Sequence, residues 1–231
     1  MLCYDFAVST PVSRGKFITF EGLDGCGKST QMKKLAAVLD AQGLDVVVTR
    51  EPGGTETGEK IRRLLVDTAT SGLSARAELA LMFASRAQHI KEVILPGLAA
   101  GRVVLCDRFT DSTEAYQGGG RKLGSEAVLQ LHRILCGNLQ PDLTILMDSD
   151  VAQSVERARR RNRARAAHVK HDEGRFEQES RAFFGRVHNA YLNIAHREPQ
   201  RVALIDARGA IGRTHKKILE AVSRKLKLGK T

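Results

Sequence analysis

The sequence contains no tryptophan, and aromatic residues make up only 5% of its 231 residues. No apolar run approaches the roughly 20 residues that a membrane-spanning helix requires, so we predict no integral membrane protein. The four cysteines lie too far apart for a CxxC metal or redox motif or a dense disulfide framework, and this predicts a reducing, cytoplasmic setting. The seven histidines form no HExxH pattern, so no structural metal is predicted. The first residues also lack the basic-then-apolar order of a secretory signal.

Positive charge is concentrated in two segments. The formal net charge is +11, yet residues 157–171 alone contain seven Lys and Arg and no acid, and residues 216–231 form a second basic stretch. A non-specific nucleic-acid binder usually spreads basic residues along one face. Because the rest of the chain is near neutral, we expect the first segment to serve a local function and do not expect nucleic acid as a partner.

Short apolar segments alternate with helical patterns. Runs rich in β-branched residues at 16–21, 45–49, 102–106, 143–147 and 201–205 lack polar alternation, as do strands that are covered on both faces. Helical periodicity is found at 29–41, 75–98, 125–136, 151–161, 176–196 and 213–226. This order predicts an α/β domain with a five-stranded parallel sheet and helices on both faces. We expect a loose extension at 1–14, one domain at 15–215 and a basic helix end and tail at 216–231.

A glycine-rich motif, GLDGCGKS, follows the first predicted strand and precedes a helix. Its G-x-x-x-x-G-K-S spacing in this context predicts a loop whose backbone N–H groups cradle a polyphosphate. Lys28 would reach the terminal phosphates and Ser29 would ligate Mg²⁺. No Asn is followed by Lys, so the guanine-reading motif of GTPases is missing. The predicted ATP-binding residues are Gly22, Leu23, Asp24, Gly25, Cys26, Gly27, Lys28, Ser29 and Thr30.

Three further motifs accompany the phosphate loop: TREPGGT at 49–55, DRFTDSTEAYQGGGR at 107–121 and GRFEQES at 174–180. Together they closely resemble the bacterial type of thymidylate kinase, from about Phe17 to Asp206. The resemblance implies a P-loop kinase core, transfer of the γ-phosphate of ATP to dTMP with Mg²⁺ in dTTP synthesis, and a homodimer. It also suggests a cis Glu51–Pro52 bond, which the sequence alone would not favour.

The acceptor site is predicted from residue chemistry and from the resemblance. Arg50 and Arg108 are suited to hold an acceptor phosphate, because guanidinium groups grip phosphate in a fixed orientation. Asp107 could hold Mg²⁺ through water. By resemblance, Asp24 would face the 3′-hydroxyl of the deoxyribose. Ordinary ion pairs and loop capping are the structural alternatives for these residues.

Thymine recognition is expected along the helix at 75–98. The resemblance implies an aromatic residue over the base and an arginine one turn later, which here is Arg86. Phe83 precedes Arg86 by three residues and Met82 by four, so either lies on its helix face, and we favour Phe83. A role for Phe83 in the core is the alternative. The resemblance also assigns base and ribose contacts to Ser112, Thr113, Tyr116 and Gln117.

The basic segment at about 157–175 stands where the family has a mobile, arginine-rich lid. The phosphate loop lacks the arginine that some thymidylate kinases place there, so the lid must neutralise the transferring phosphate. We choose Arg159 and Arg163 as the catalytic arginines and expect Arg175 to brace the closed lid. The segment is longer than usual, and Gly174 replaces a common Asp.

Two other functions remain open at this point. In a deoxynucleoside kinase, Glu51 would deprotonate a sugar hydroxyl. In a nucleic-acid-binding P-loop ATPase, the basic segment would bind DNA or RNA.

Overall fold

A computed structural model describes residues 14–166 and 174–226. Its centre is a parallel five-stranded sheet in the order β2-β3-β1-β4-β5. The strands are β1 Lys16–Glu21, β2 Val46–Arg50, β3 Val103–Asp107, β4 Leu143–Asp148 and β5 Val202–Asp206. The five strands predicted from the sequence are confirmed to within one residue at each end.

Both faces of the sheet are buried, which explains why the strands lack polar alternation. Ile18 and Phe20 of β1 pack into a core beneath the helices α1 and α9, whereas the intervening Phe17 packs on the opposite face with Val104 and Cys106 of β3. All three β1 side chains are 0% exposed. The sheet therefore fixes the strand ends, where the candidate site lies.

The helices cover both faces, as predicted. They are α1 Lys28–Ala41, α2 Glu56–Val66, α3 Ala75–His89, α4 Leu95–Ala99, α5 Thr110–Thr113, α6 Ser125–Cys136, α7 Val151–Ala166, α8 Arg181–Arg197 and α9 Ile211–Leu226. A π-helical turn, Ile90–Ile94, joins α3 to α4, so the predicted helix at 75–98 is interrupted rather than uniform. A second π-helical segment, Glu114–Gly120, follows α5.

Two details of the helix prediction were wrong. The helix expected at 176–196 begins only at Arg181, because Ser180 caps it: its hydroxyl accepts a hydrogen bond from the Phe183 N–H at 3.2 Å. The segment Phe176–Gln178 is a separate 3₁₀ turn. Helix α2 was not predicted, although Thr55 caps it and two acids lie in its first turn.

Three expectations fall wholly or partly outside the described residues: the loose extension at 1–14 except Arg14, the middle of the lid at 167–173, and the end of the tail at 227–231. Among the described helices, none combines the length and apolar character that crossing a membrane requires.

Candidate active site

A cavity of about 470 Å³ opens at the carboxyl ends of β1, β2 and β3. The phosphate loop, residues 22–29, forms one wall, and side chains from α3, α5, the π-helical segment and α7 form the others. Loops at this edge of a parallel sheet commonly build ligand sites. Predicted site residues that line it are Asp24, Gly25, Gly27, Lys28, Ser29, Thr30, Arg50, Arg86, Asp107, Arg108, Ser112, Thr113, Tyr116 and Gln117.

The phosphate loop has the backbone that its glycines predict. Gly22, Gly25 and Gly27 all have positive φ, a conformation that other residues adopt only under strain. A Cβ at Gly25 would also lie 2.2 Å from the carbonyl oxygen of Ser154 in α7. The Lys28 ammonium donates to the carbonyl oxygens of Gly22 and Leu23 at 3.0 and 2.9 Å. The loop therefore places a positive charge beside the N-terminus of α1.

Ser29 and Asp107 form a pair suited to a divalent cation. The Ser29 hydroxyl donates to Asp107 Oδ2 at 3.1 Å. Asp107 Oδ1 is buried and has no hydrogen-bond partner in the described parts of the chain. Hydroxyl and carboxylate oxygens are the ligands that Mg²⁺ accepts, so this pair fits the metal predicted from the motif.

Arg108 lies at the centre of the site in a left-handed conformation, with φ of 72°. Its backbone N–H donates to the Phe20 carbonyl at 2.9 Å, and its guanidinium donates to Ser112 Oγ at 2.8 Å. The hydroxyls of Tyr191 and Tyr116 accept from it at 3.1 and 3.2 Å. A strained backbone persists where its surroundings hold it, and here they aim the guanidinium at the phosphate loop.

Asp24 pairs with Arg108 across the cavity at 3.0 Å. Burial alone would raise the pKa of Asp24, but the charges of Arg108 and Lys28 outweigh it and hold that pKa well below its usual range. Glu177 behaves oppositely: burial and the negative charge of Asp24 raise its pKa to about 7. Asp24 is thus firmly ionised, whereas Glu177, in the same cavity, titrates near neutrality.

Arg50 lines the cavity beside the phosphate loop, as predicted. Its guanidinium donates to both oxygens of Glu59 at 3.1 and 3.0 Å. The Arg50 side chain is 55% exposed, so water screens this ion pair. The Glu51–Pro52 bond that follows is cis, as the resemblance suggested.

The structure does not place Phe83 at the cavity. Its side chain is 0% exposed and packs with Leu79 and Ile90 in the core, because residues at these spacings share the inner face of the helix. Met82 lines the cavity instead. Of the two residues that the spacing had left open, the cavity is therefore lined by Met82 and not by Phe83.

Arg86 is buried and almost fully paired. Its Nε donates to Glu51 Oε2 at 2.7 Å, and its Nη2 donates to the Phe109 carbonyl and Thr113 Oγ1 at 3.1 and 2.9 Å. Its Nη1 is buried without a hydrogen-bond partner among residues 14–166 and 174–226. Since Arg86 lines the cavity, one charged donor is left for a ligand.

Gln117 supplies the complementary group. Its amide nitrogen donates to Glu78 Oε1 at 2.7 Å, whereas its carbonyl oxygen is buried and accepts from no group that the structure describes. Ser112, Thr113 and Tyr116 line the same cavity. This end of the site therefore offers one unpaired donor and one unpaired acceptor.

The predicted lid arginines are not those that reach the cavity. Arg159 donates to the backbone carbonyls of Glu177 and Glu179 at 2.8 and 3.2 Å, and Arg163 is exposed and paired with Glu156 at 3.1 Å. Arg157 and Arg161, one helical turn apart, line the cavity instead.

Arg175, which the sequence predicted to brace the closed lid, is held against α2, and its role in closure remains a prediction. It is 5% exposed, and its Nε donates to the Leu65 carbonyl at 2.6 Å.

Several buried residues of the site were not predicted. Glu21 accepts from the Phe109 N–H at 2.7 Å and from the hydroxyls of Ser112 and Tyr191. Burial, with a contribution from the charge of Asp111, raises the pKa of Glu21 to about 7. His89 accompanies Arg86 on Glu51, its Nδ1 lying 2.8 Å from Oε1. For Glu21 and Glu51, the sequence signal was an acidic residue directly at the end of an apolar strand segment.

Comparisons with known proteins agree with this geometry. Residues 20–218 match the family model for thymidylate kinase. The chain is 52% identical over 191 residues to a thymidylate kinase of Desulfovibrio desulfuricans, covering 83% of this chain and 87% of that one. It is 53% identical over 193 residues to one of Pseudomonas syringae, covering 84% and 88%. A crystal structure of thymidylate kinase from Ehrlichia chaffeensis superposes with a TM-score of 0.70 at 32% identity, covering 91% of this chain and 99% of that one.

Proposed function

The chain belongs to the thymidylate kinase family, and we propose that it transfers the γ-phosphate of ATP to dTMP, giving dTDP for dTTP synthesis. One observation carries the proposal: a single cavity contains the phosphate loop, two arginines for a second phosphate, and an unpaired donor and acceptor for a base. A phosphate-bearing nucleotide acceptor uses all three parts. Phosphorylation of a nucleoside, or hydrolysis of ATP without an acceptor, would leave at least one of these parts without a ligand.

The ATP phosphates lie along the phosphate loop in this proposal. Backbone N–H groups and the N-terminus of α1 favour the negative charge, and Lys28 adds a positive one. Ser29 and Asp107 would hold Mg²⁺, directly or through water. When bound there, the ion would supply positive charge that neutralises the ATP phosphates.

The acceptor phosphate is held by Arg108, with Arg50 beside it. A phosphate monoester has its second pKa at about 6 and is already an anion near neutral pH, so it needs no strong general base. The residues act mainly by positioning and by neutralising charge. Asp24, kept ionised by Arg108, accepts a hydrogen bond from the sugar hydroxyl.

The base lies between Met82 and the polar groups of the opposite wall. Thymine presents a carbonyl oxygen next to an N–H on one edge. Arg86 Nη1 donates to that oxygen and Gln117 Oε1 accepts from that N–H. Both atoms are buried, and leaving them unpaired costs about 1–3 kcal/mol for each group.

Charge that develops between donor and acceptor is neutralised by Arg157 and Arg161. They replace Arg159 and Arg163 in this role because their side chains line the cavity. Such an arginine contributes about 10³ to 10⁵ in rate. Closure of the lid remains a prediction from the sequence.

The deoxynucleoside kinase alternative is disfavoured by Glu51. Both of its carboxylate oxygens are engaged, one by Arg86 and the other by His89. Burial alone would raise the pKa of Glu51, yet the Arg86 charge and the contacts to His89 bring that pKa below its ordinary value. A carboxylate held in this way is a poor base for a sugar hydroxyl.

A homodimer in the cytoplasm remains part of the proposal. Exposed apolar side chains support the dimer: Ile134 of α6 is 75% exposed and Leu64 of α2 is 52% exposed. Sedimentation equilibrium tests it, and a monomer at micromolar concentration would contradict it.

A coupled assay for ADP tests the activity, with ATP and Mg²⁺ present and dTMP, dUMP, thymidine or DNA added in turn. We expect dTMP to give the highest turnover and thymidine to be a poor acceptor, because Arg108 and Arg50 would lack their ligand. ADP release that DNA stimulates and dTMP does not affect would support the nucleic-acid-binding ATPase instead. Equal rates with thymidine and dTMP would support a nucleoside kinase.

A further inference from the structure

A buried carboxylate outside the cavity, Glu78, contacts Gln117, one of the residues that we propose to bind the base. Glu78 lies in the first turn of α3 and is 0% exposed. Its Oε1 accepts from the amide nitrogen of Gln117 at 2.7 Å. The side chain of Glu78 is not part of the cavity lining formed by the described residues, so it acts on a ligand only through its neighbours.

Two arginines contact the Glu78 carboxyl group. Arg121 donates to Oε1 from Nε at 3.2 Å and to Oε2 from Nη2 at 3.1 Å. Arg175 Nη2 lies 2.8 Å from Oε2. Both oxygens of the Glu78 carboxyl group therefore act as hydrogen-bond acceptors, Oε1 toward Gln117 and Arg121 and Oε2 toward Arg121.

These contacts decide which way the Gln117 amide faces. Because Glu78 only accepts, the amide must turn its NH₂ group toward Glu78. Its carbonyl oxygen then faces away, and this oxygen is buried with no partner in the described ranges. Gln117 itself lines the cavity. We therefore take the carbonyl oxygen, and not the NH₂ group, as the part of Gln117 that is left for a ligand.

The choice of acceptor matters for the base. Beside the Arg86 donor, it fits an edge with a carbonyl oxygen next to an N–H, as in thymine or uracil. Cytosine carries an amino group and an unprotonated ring nitrogen at these positions, so both contacts fail. A site whose buried groups are left unpaired rejects such a ligand strongly.

We propose that Glu78 is a specificity-determining positioning residue, which fixes the Gln117 amide so that the site selects keto over amino pyrimidines. This proposal rests on the proposed function, because it takes the base to lie between Arg86 and Gln117. Glu78 also ties Arg175, at the end of the lid segment, to α3, so a substitution that removes the Glu78 side chain would disturb more than the base site.

The test compares selectivity in the wild type, Glu78→Gln, Gln117→Ala and the double variant. The measured quantity is the ratio of kcat/KM for dTMP to kcat/KM for dCMP, taken on one preparation of each protein. This ratio does not depend on the fraction of active enzyme, so partial unfolding leaves it unchanged. A glutamine at position 78 both donates and accepts, and it no longer dictates the orientation of Gln117.

We expect Glu78→Gln to lower the ratio by at least about tenfold, the effect of one mispaired buried group. In the Gln117→Ala background the same change should alter the ratio by less than about twofold, because the two residues act as one unit. If Glu78→Gln does not fold, Glu78→Asp retains the charge but withdraws the acceptor from Gln117, and it should lower the ratio as well.

A matched control is Glu114→Gln. Glu114 is also a buried carboxylate paired with an arginine, Arg197, at 2.7 and 2.8 Å, and it lies in the same π-helical segment as Gln117. The Glu114→Gln substitution should leave the ratio of kcat/KM for dTMP to kcat/KM for dCMP unchanged. An unchanged ratio in Glu78→Gln, or an equal fall with and without Gln117, would overturn the role of Glu78 while leaving the dTMP activity intact. A wild type that does not phosphorylate dTMP would overturn both proposals.

Discussion

Arg108 and Asp24 form an ion pair of 3.0 Å that spans the cavity between β3 and the phosphate loop. Asp24 would repel ATP if it stood alone, and the positive charge of Arg108 compensates it. The pair thus joins the donor and acceptor halves of the site. The sequence placed both residues in the site but could not show that they contact each other.

Substitution of Arg108 by alanine should lower kcat/KM for dTMP by about 10²- to 10³-fold, the usual effect of removing a group that stabilises developing negative charge. The loss should be larger than the loss of a phosphate contact alone, because Asp24 would remain as an unpaired anion beside the phosphates. Steady-state kinetics with dTMP varied at saturating ATP measure the effect.

The control for this variant is Arg102→Ala. Arg102 precedes the same strand, but its partner Asp45 is 65% exposed and Arg102 itself is 46% exposed, so its ion pair contributes little. Similar kinetic losses in both variants would mean that Arg108 acts through the stability of β3 and not through the substrate.

The base end of the site gives a second prediction. Arg86→Lys should retain a positive charge beside Glu51 but lose the planar fork that provides Nη1. We expect KM for dTMP to rise by about tenfold or more, since a hydrogen bond from a charged group contributes about 1.5–3 kcal/mol. At saturating dTMP, kcat should fall less than kcat/KM.

Arg76→Lys is the matched control, because Arg76 lies on the same helix and is exposed. A fall in kcat with an unchanged KM for dTMP would contradict the assignment of Arg86 to the base.

The lid arginines give the third prediction, which contrasts two residues of one helix. Arg161→Ala should lower kcat by about 10³-fold, the lower end of the range for a charge-neutralising arginine. Arg163→Ala should change kcat little, because Arg163 is exposed and its ion pair within the described ranges is with Glu156, away from the cavity. Single-turnover rates with saturating ATP and dTMP separate this effect from product release. The reverse order would restore the choice made from the sequence alone.

The fold was largely predictable because the strand segments are easily recognised in the sequence. Five β-branched segments lie between helical patterns, and the phosphate loop fixes where the first strand ends. Short elements were missed when a single residue decided them. The start of α8 depends on the cap at Ser180, and an apolar pattern that continues through Phe176 conceals it.

Side-chain direction was the main limit for the site. Arg157 and Arg161 lie four residues apart, and so do Arg159 and Arg163, so each pair occupies one face of the helix and charge alone could not select between the two faces. The small residues Ser154 and Ala158 mark the face that packs on Gly25, and Arg161 continues that face. For Phe83 and Met82, too, the sequence could not show which side chain faces the cavity. In the structure Phe83 packs in the core.

The last prediction concerns stability at low pH and rests on His132 of α6. This side chain is 0% exposed, and its ring nitrogens lie 3.0 Å from Thr110 Oγ1 and from the Leu139 carbonyl oxygen. Burial, with a smaller effect of the Arg86 charge, lowers the pKa of His132 from 6.5 to about 4. Below pH 6.5, His132 is therefore protonated in the unfolded chain, whereas in the folded protein it stays neutral down to about pH 4.

Above pH 6.5, His132 does not lower the stability of the fold. The free energy of unfolding falls as the pH drops from 6.5 to about 4, because the unfolded chain binds the additional proton. The expected loss is about 3 kcal/mol between pH 7 and pH 4, at 1.36 kcal/mol for each unit of pKa difference. Urea unfolding of the wild type and of His132→Gln across this range isolates the contribution, because other titrating groups cancel in the difference. His196→Gln, which changes an exposed histidine, should retain the wild-type pH dependence. Parallel curves for the wild type and His132→Gln would show that His132 takes up its proton in the folded protein as readily as in the unfolded chain.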